Sequence, residues 1–110
     1  MTYQSAYAAA EPERSSVDAM AGLTLIEFGA PWCGHCIAAQ EALQVLLGSQ
    51  PAITHIKVED GRGRPLGRSF RVKLWPTLVL LQDGVEIARA VRPRERSDLA
   101  GMLEAIDSSH

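Results

Sequence analysis

The sequence predicts an α/β fold, a mixed β-sheet flanked by helices, on three observations. Residues 23–28 form an almost unbroken apolar run between Gly22 and Gly29, as expected of a strand buried on both faces. A helical pattern follows, with Cys36, Ala39, Leu43, Leu46 and Leu47 at three- and four-residue spacing and Gly48 as the stop. Residues 53–58 then alternate apolar with polar side chains. Together these make a strand–helix–strand unit with its helix over 33–47, and such a crossover favours parallel strands.

The other elements fill in around that unit. Residues 1–12, closed by Pro12, read either as a short edge strand or as a loose arm. Residues 15–21 give a short helix that Gly22 ends. Residues 61–65 are a glycine-rich, basic loop, and residues 66–70 a helical turn or two. Residues 77–81 are another apolar strand. Asp83-Gly84 is a hairpin turn that returns the chain through Val85, Ile87 and Ala88 as an antiparallel strand. Leu99, Met102, Leu103 and Ile106 mark one apolar face of a closing helix. No internal repeat interrupts this order, so residues 1–110 read as a single domain.

Composition narrows the function. A chain of 110 residues, 46% hydrophobic and 22% charged, can bury a core without staples. It contains no apolar stretch of the roughly 18 residues that a membrane span needs. The formal net charge of −2 gives no reason to expect nucleic acid or a membrane as partner. Bases nevertheless concentrate in residues 61–110, among them Arg62, Arg68, Lys73 and Arg92. They read as a solvated face or as a basic rim that favours acidic partners. Residues 1–21 carry neither a basic start nor a continuous apolar stretch, so they are not read as a secretory leader. The cytoplasm follows as the default, although a processed, exported domain would look similar.

The chemistry is carried by the two cysteines, which stand as Cys33-Gly34-His35-Cys36. A secreted disulfide framework needs more cysteines at wider spacing. A zinc site needs two further ligands, with only His35, His55 and His110 to choose from. Ile37 after Cys36 excludes the haem-attachment pattern. A redox pair is the leading reading, over inert core thiols or transient metal capture. A free thiol has a pKa of about 8.5, and thiol–disulfide exchange needs the thiolate. Cys33, at the first turn of a helix, meets unpaired N–H groups and the positive end of the macrodipole. His35, when protonated, adds a positive neighbour. Cys36, one turn along and more buried, can close a disulfide on Cys33. Cys33 is therefore the expected nucleophile and Cys36 the expected resolving thiol.

The segment Glu27-Phe28-Gly29-Ala30-Pro31-Trp32-Cys33-Gly34-His35-Cys36 resembles the active-site segment of the catalytic domains of protein disulfide isomerase, within the thioredoxin family. Pro76-Thr77 at a strand start and the Asp83-Gly84 hairpin match that family too, and the likeness covers residues 22 to 107. It implies a thioredoxin-like fold and a protein disulfide oxidoreductase with no resident cofactor beyond the Cys33–Cys36 disulfide. Protein disulfides or dithiols are the implied clients, with an electron donor such as a reductase; a monomer is expected. Pro76 matches the family's cis-proline, which keeps metals off the cysteines, and the Trp75 backbone before it matches the part that pairs with an extended client. Glu27 matches a buried acid that takes the Cys36 proton, and Lys57 the lysine that pairs with it across adjacent strands. Trp32 is implied to pack over the disulfide, and Arg94 matches a loop arginine that swings towards the resolving cysteine. His35, in place of the proline found in thioredoxin itself, favours the reduced form and makes the pair more oxidising.

Four positions depart from the family pattern. Glu41 stands where the family has a kinking proline, which predicts a straighter long helix. Gly29 replaces a large aromatic and leaves space beside the site. Trp75 is bulky, and Arg92-Pro93 replaces a glycine-containing loop; both touch the client groove. Two other functions fit the same scaffold. One is a non-enzymatic module that docks a partner through Trp32, Trp75 and Arg92. The other is a metallochaperone using Cys33 and Cys36, against which Pro76 argues.

Overall fold

The computed structural model describes residues 2–109; Met1 and His110, the latter among the candidate metal ligands, lie outside the described residues. The elements run α1 (Arg14–Asp18), β1 (Leu23–Gly29), α2 (Gly34–Ala38), α3 (Gln40–Gly48), β2 (Thr54–Glu59), α4 (Pro65–Ser69), β3 (Thr77–Gln82), β4 (Val85–Val91) and α5 (Ala100–Ser108), the last entered through a 3-10 turn at Arg96–Leu99. The described strands form one sheet in the order β2-β1-β3-β4. β1 and β2 are parallel, and β1/β3 and β3/β4 are antiparallel. This is the mixed sheet flanked by helices of a thioredoxin-like fold.

Strand periodicity explains the apolar runs. On one face Leu25, Leu78 and Leu80 pack with Leu43 and Leu47 of α3 and with Met102 and Ile106 of α5. On the other, Ile26, Phe28, Val79 and Leu81 pack with Val17 of α1 and with Leu66 and Phe70 around α4. Both central strands are covered on both sides, so neither can alternate with polar residues. Burying each such side chain contributes roughly 1.5–3 kcal/mol. The charged exception in β1 is Glu27, fully buried and on the same face as Leu25.

The hairpin forms where Asp83 and Gly84 both take positive φ, 50° and 82°, the conformation that Asp-Gly adopts most readily. Asp83 Oδ1 accepts from the Gly22 N–H at 2.8 Å, and the Asp83 N–H donates to the Gly22 carbonyl at 2.9 Å. The turn is thereby fastened to the start of β1.

Two expectations are corrected. Residues 2–12, the described part of that segment, are neither an edge strand nor a loose arm. They lie along β2, held by separate bonds: Gln4 N–H to His55 Nδ1 at 2.8 Å and Ala8 N–H to the Lys57 carbonyl at 2.8 Å. Farther along, Glu11 Oε1 accepts from the Leu66 N–H at 3.1 Å. The long helix is not straight either; it breaks at Ala39, between α2 and α3. The Gln40 side chain explains this without a proline. Its amide Nε2 donates to the Cys36 carbonyl at 2.7 Å, entering the ladder, while the Ala39 N–H is shared between the His35 and Cys36 carbonyls at 3.2 and 3.3 Å.

Candidate active site

The turn Ala30-Pro31-Trp32 carries the chain from β1 into α2, with the Cys33 N–H closing on the Ala30 carbonyl at 3.2 Å. Cys33 is the N-cap of α2, in extended conformation at φ −83° and ψ 118°. Its sulfur accepts from the Cys36 N–H at 3.3 Å, satisfying a donor that the helix start leaves unpaired. Since α2 has only five residues, this local donor, more than a long macrodipole, is what the helix start sets against the Cys33 sulfur. Cys33 is 8% exposed and Cys36 1%. Burial pushes the Cys36 thiol up to about 12, helped by its hydrogen bond to Cys33 and partly offset by the Ala30 backbone. Both thiols are free.

Cys33 faces an open cleft of about 380 Å³ that Trp32, His35, Lys73, Trp75 and Arg92 also line. His35 stands on the exposed side of α2. Trp75 packs against Ala30 and the two cysteines, and its Nε1–H donates to Asp60 Oδ2 at 2.8 Å. The Trp75–Pro76 bond is cis. Arg92 Nε donates to the Trp75 carbonyl at 2.9 Å, and the Arg92 N–H to the Pro76 carbonyl at 2.8 Å. The rim of this cleft is thus basic, through Lys73 and Arg92.

Trp32 does not pack over the cysteines as expected. It is 73% exposed and meets Trp75 edge-on at 5.5 Å, because Trp75 already takes the place beside the sulfurs. Arg94 is not brought to the pair. It lines a different groove with Glu41 and Arg96, and its N–H donates to Asp98 Oδ2 at 2.9 Å. That carboxylate also accepts from the Glu95 N–H at 3.0 Å, so the segment is tied to the 3-10 turn instead.

Behind Cys36 lies a buried polar network. Strand parity assembles it: Glu27 pairs in register with Lys57, and His55 lies two residues before Lys57 on the same face. Glu27 Oε1 bonds His55 Nε2 at 3.0 Å; Oε2 accepts from Gln40 Nε2 at 2.8 Å and lies 3.7 Å from Lys57 Nζ. Gln40 Oε1 accepts from Lys57 Nζ at 3.1 Å and from the Tyr3 hydroxyl at 2.7 Å. With its two donated bonds, to Glu27 and the Cys36 carbonyl, Gln40 is fully satisfied. Because His55 Nδ1 accepts from the Gln4 N–H, Nε2 carries the ring proton and donates it to Glu27.

The expected Glu27–Lys57 pairing is present, but Gln40, Tyr3, Tyr7 and Asp60 were not singled out from the sequence, and His55 was named only as a possible metal ligand. His55 was accessible by the period of two from Lys57. Gln40 showed only as a polar residue on an apolar helix face. Tyr3 and Tyr7 come from a segment without periodicity.

The comparisons with known proteins agree with this geometry. A family model described as Thioredoxin matches residues 7–105. The chain is 36% identical over 83 residues to the thioredoxin of Chlamydia trachomatis serovar D, covering 74% of this chain and 80% of that protein. It is 34% identical over 87 residues to a protein disulfide-isomerase of Hordeum vulgare, covering 73% of this chain and 17% of that longer protein. Among solved structures, reduced thioredoxin 2 from Pseudomonas aeruginosa PAO1 superposes with a TM-score of 0.85 at 50% identity, covering 98% of this chain and 100% of that one.

Proposed function

The chain belongs to the thioredoxin family and is a thiol–disulfide oxidoreductase, and from that premise we propose that it exchanges electrons with protein disulfides through Cys33 and Cys36. The observation that carries this reading is the asymmetry of the pair: an N-capping sulfur at the floor of an open cleft and a buried thiol held protonated. In the reducing direction, the Cys33 thiolate attacks a client disulfide; a mixed disulfide forms and the first client sulfur leaves as thiolate. Cys36 then gives up its proton and attacks the Cys33 sulfur. The Cys33–Cys36 bond forms, the client bond breaks, and two electrons have passed to the client.

Glu27 supports the second step as proton acceptor. It is the buried carboxylate nearest in connectivity to Cys36, joined to it through Gln40. Lys57 and His55 hold it in place. Trp32, Trp75 and Pro76 form the client groove, where an extended chain can add along the Trp75 backbone. The basic rim of Lys73 and Arg92, joined by His35 when it is protonated, biases the cleft towards anionic thiolates. The disulfide itself is the redox group, with no further cofactor, and a reductase returns it to the dithiol.

The test is reduction of an insulin-type disulfide. The parent protein is expected to turn over and Cys33→Ser to fall to background. Cys36→Ala should keep the first attack and accumulate a covalent client adduct visible by mass. Equal activity of Cys33→Ser and parent ends the reading, and absence of any adduct on Cys36→Ala favours a non-enzymatic docking module.

A further inference from the structure

The space beside Cys36 is shaped by a glycine and filled from the far end of the chain. Gly29 is on the network face of β1, and a Cβ built on it would stand 2.6 Å from Cys36 Sγ and 3.1 Å from the Tyr7 hydroxyl. No side chain fits there without displacing the resolving sulfur. Tyr7 is held in that position by two contacts with Lys57 of β2. The next residue, Ala8, is bonded to the Lys57 carbonyl at 2.8 Å, and Lys57 Nζ lies 4.8 Å from the Tyr7 ring centre. Tyr7, Cys36, Gln40 and Lys57 line one cleft of about 520 Å³.

We propose that Tyr7 serves the resolving half of the exchange: its hydroxyl, set over Gly29, donates a hydrogen bond to the Cys36 sulfur and stabilises the thiolate that must form there. The phenol is suited to donate, because burial and the nearby negative charge of Cys36 and Glu27 hold its proton well above the usual tyrosine range. A hydroxyl is needed at this point. Cys36 is only 1% exposed although it borders this cleft, so most of the solvation that a thiolate would find at the surface has to come from a fixed donor. Tyr7 transfers no proton in this role; the Cys36 proton leaves to the Glu27 network.

The proposal rests on the exchange reading above, and Tyr7→Phe separates the two. This change keeps the ring and its contact with Lys57 and deletes only the hydroxyl. Rapid mixing with a client disulfide and acid quench, followed by mass analysis, reads mixed-disulfide formation and its resolution independently. Tyr7→Phe is expected to form the adduct at the parent rate and to resolve it roughly tenfold or more slowly, the size expected for a lost hydrogen bond to a charged group. The midpoint of the pH profile for resolution should move upward. Alkylation of Cys33 in a Cys36→Ala background should be the same with Tyr7 or Phe. Resolution at the parent rate with an unmoved pH midpoint overturns the proposal and leaves the exchange reading standing. A defect in Tyr7→Leu alone, with Tyr7→Phe normal, overturns it in favour of packing. Failure of the parent to form any mixed disulfide overturns both.

Discussion

Cys33 and Cys36 are separated by a single helical turn and share Ala30 and Trp75 as packing neighbours, yet the rest of their surroundings differ. Around Cys33 the walls are loops: the Ala30-Pro31-Trp32 turn, the Trp75–Pro76 corner and Arg92, with an exposed indole and a basic rim. Around Cys36 they are strands, α3 and the Tyr7 segment docked against them, and each polar group of Glu27, His55 and Gln40 is met by another. The open side can yield to clients of many shapes. The closed side is specified by strand register, since a slip of one residue in β2 would turn His55 and Lys57 away from Glu27. One residue type thus acquires two chemical roles from hydration and hydrogen bonding alone.

The sharpest way to break that contrast is to remove the centre of the closed side. Glu27→Leu leaves His55 Nε2, Gln40 Nε2 and the Lys57 ammonium without their common acceptor. Removing one partner of a buried ion pair typically costs about 3–5 kcal/mol, a loss that urea or guanidinium titration would read. Glu27→Leu with Lys57→Met should recover part of it, because no unpaired charge is left behind. If the single variant is as stable as the parent, the network contributes nothing net to folding, and its value lies in the chemistry of Cys36.

The closed side was also the less legible in the sequence. Apolar runs disclosed β1 and β3, and the Asp83-Gly84 pair disclosed the hairpin, because in each case a local rule and the tertiary structure agree. Cys33 was found for the same reason: two cysteines three residues apart at the start of a helical pattern are a local signal, although its place as the N-cap, one residue before the helix, came only from the structure. The break at Ala39 was hidden, because its cause is a side-chain amide drawn towards Glu27, 13 residues away in the chain. The docking of residues 2–12 was hidden too; it depends on single bonds to His55 and Lys57 rather than on a repeating pattern. Trp32 and Trp75 were legible as neighbours of the site, but which of them touches the sulfurs is decided by the Trp75–Asp60 bond. Arg94 shows the limit of matching by resemblance, since its N–H is taken up by Asp98 in this chain.

A second test sharpens the contrast through pH. The Cys36 thiol is pushed from the usual cysteine range to about 12 in the folded, reduced protein. In that range the folded chain holds a proton that the unfolded chain has released. The contribution is complete below the unfolded value, about 8.5, and is lost as pH rises towards 12. Cys36→Ser lacks this term. Denaturation of the reduced proteins at a series of pH values should show the difference between parent and variant unchanged up to about pH 8 and moving against the parent above it. Parallel curves up to pH 11 would mean that Cys36 ionises like a solvated thiol and that the two sides are alike.

The smallest expected effect belongs to the open side. Trp32 is 73% exposed and meets Trp75 edge-on. Such an aromatic pair contributes about 0.5–1.5 kcal/mol, so Trp32→Ala should lower stability by about 1 kcal/mol or less, well short of Glu27→Leu. Its kinetic effect should depend on the client. A protein disulfide that must lie across the indole surface should react with Cys33 several-fold more slowly, whereas a small soluble disulfide should react at the parent rate. Stopped-flow measurement with both substrates checks this. A large loss of stability would move Trp32 into the core, and equal slowing with both substrates would make it a tuner of the Cys33 sulfur. In either case the division between a yielding, client-facing side and a rigid, proton-handling side would have to be redrawn.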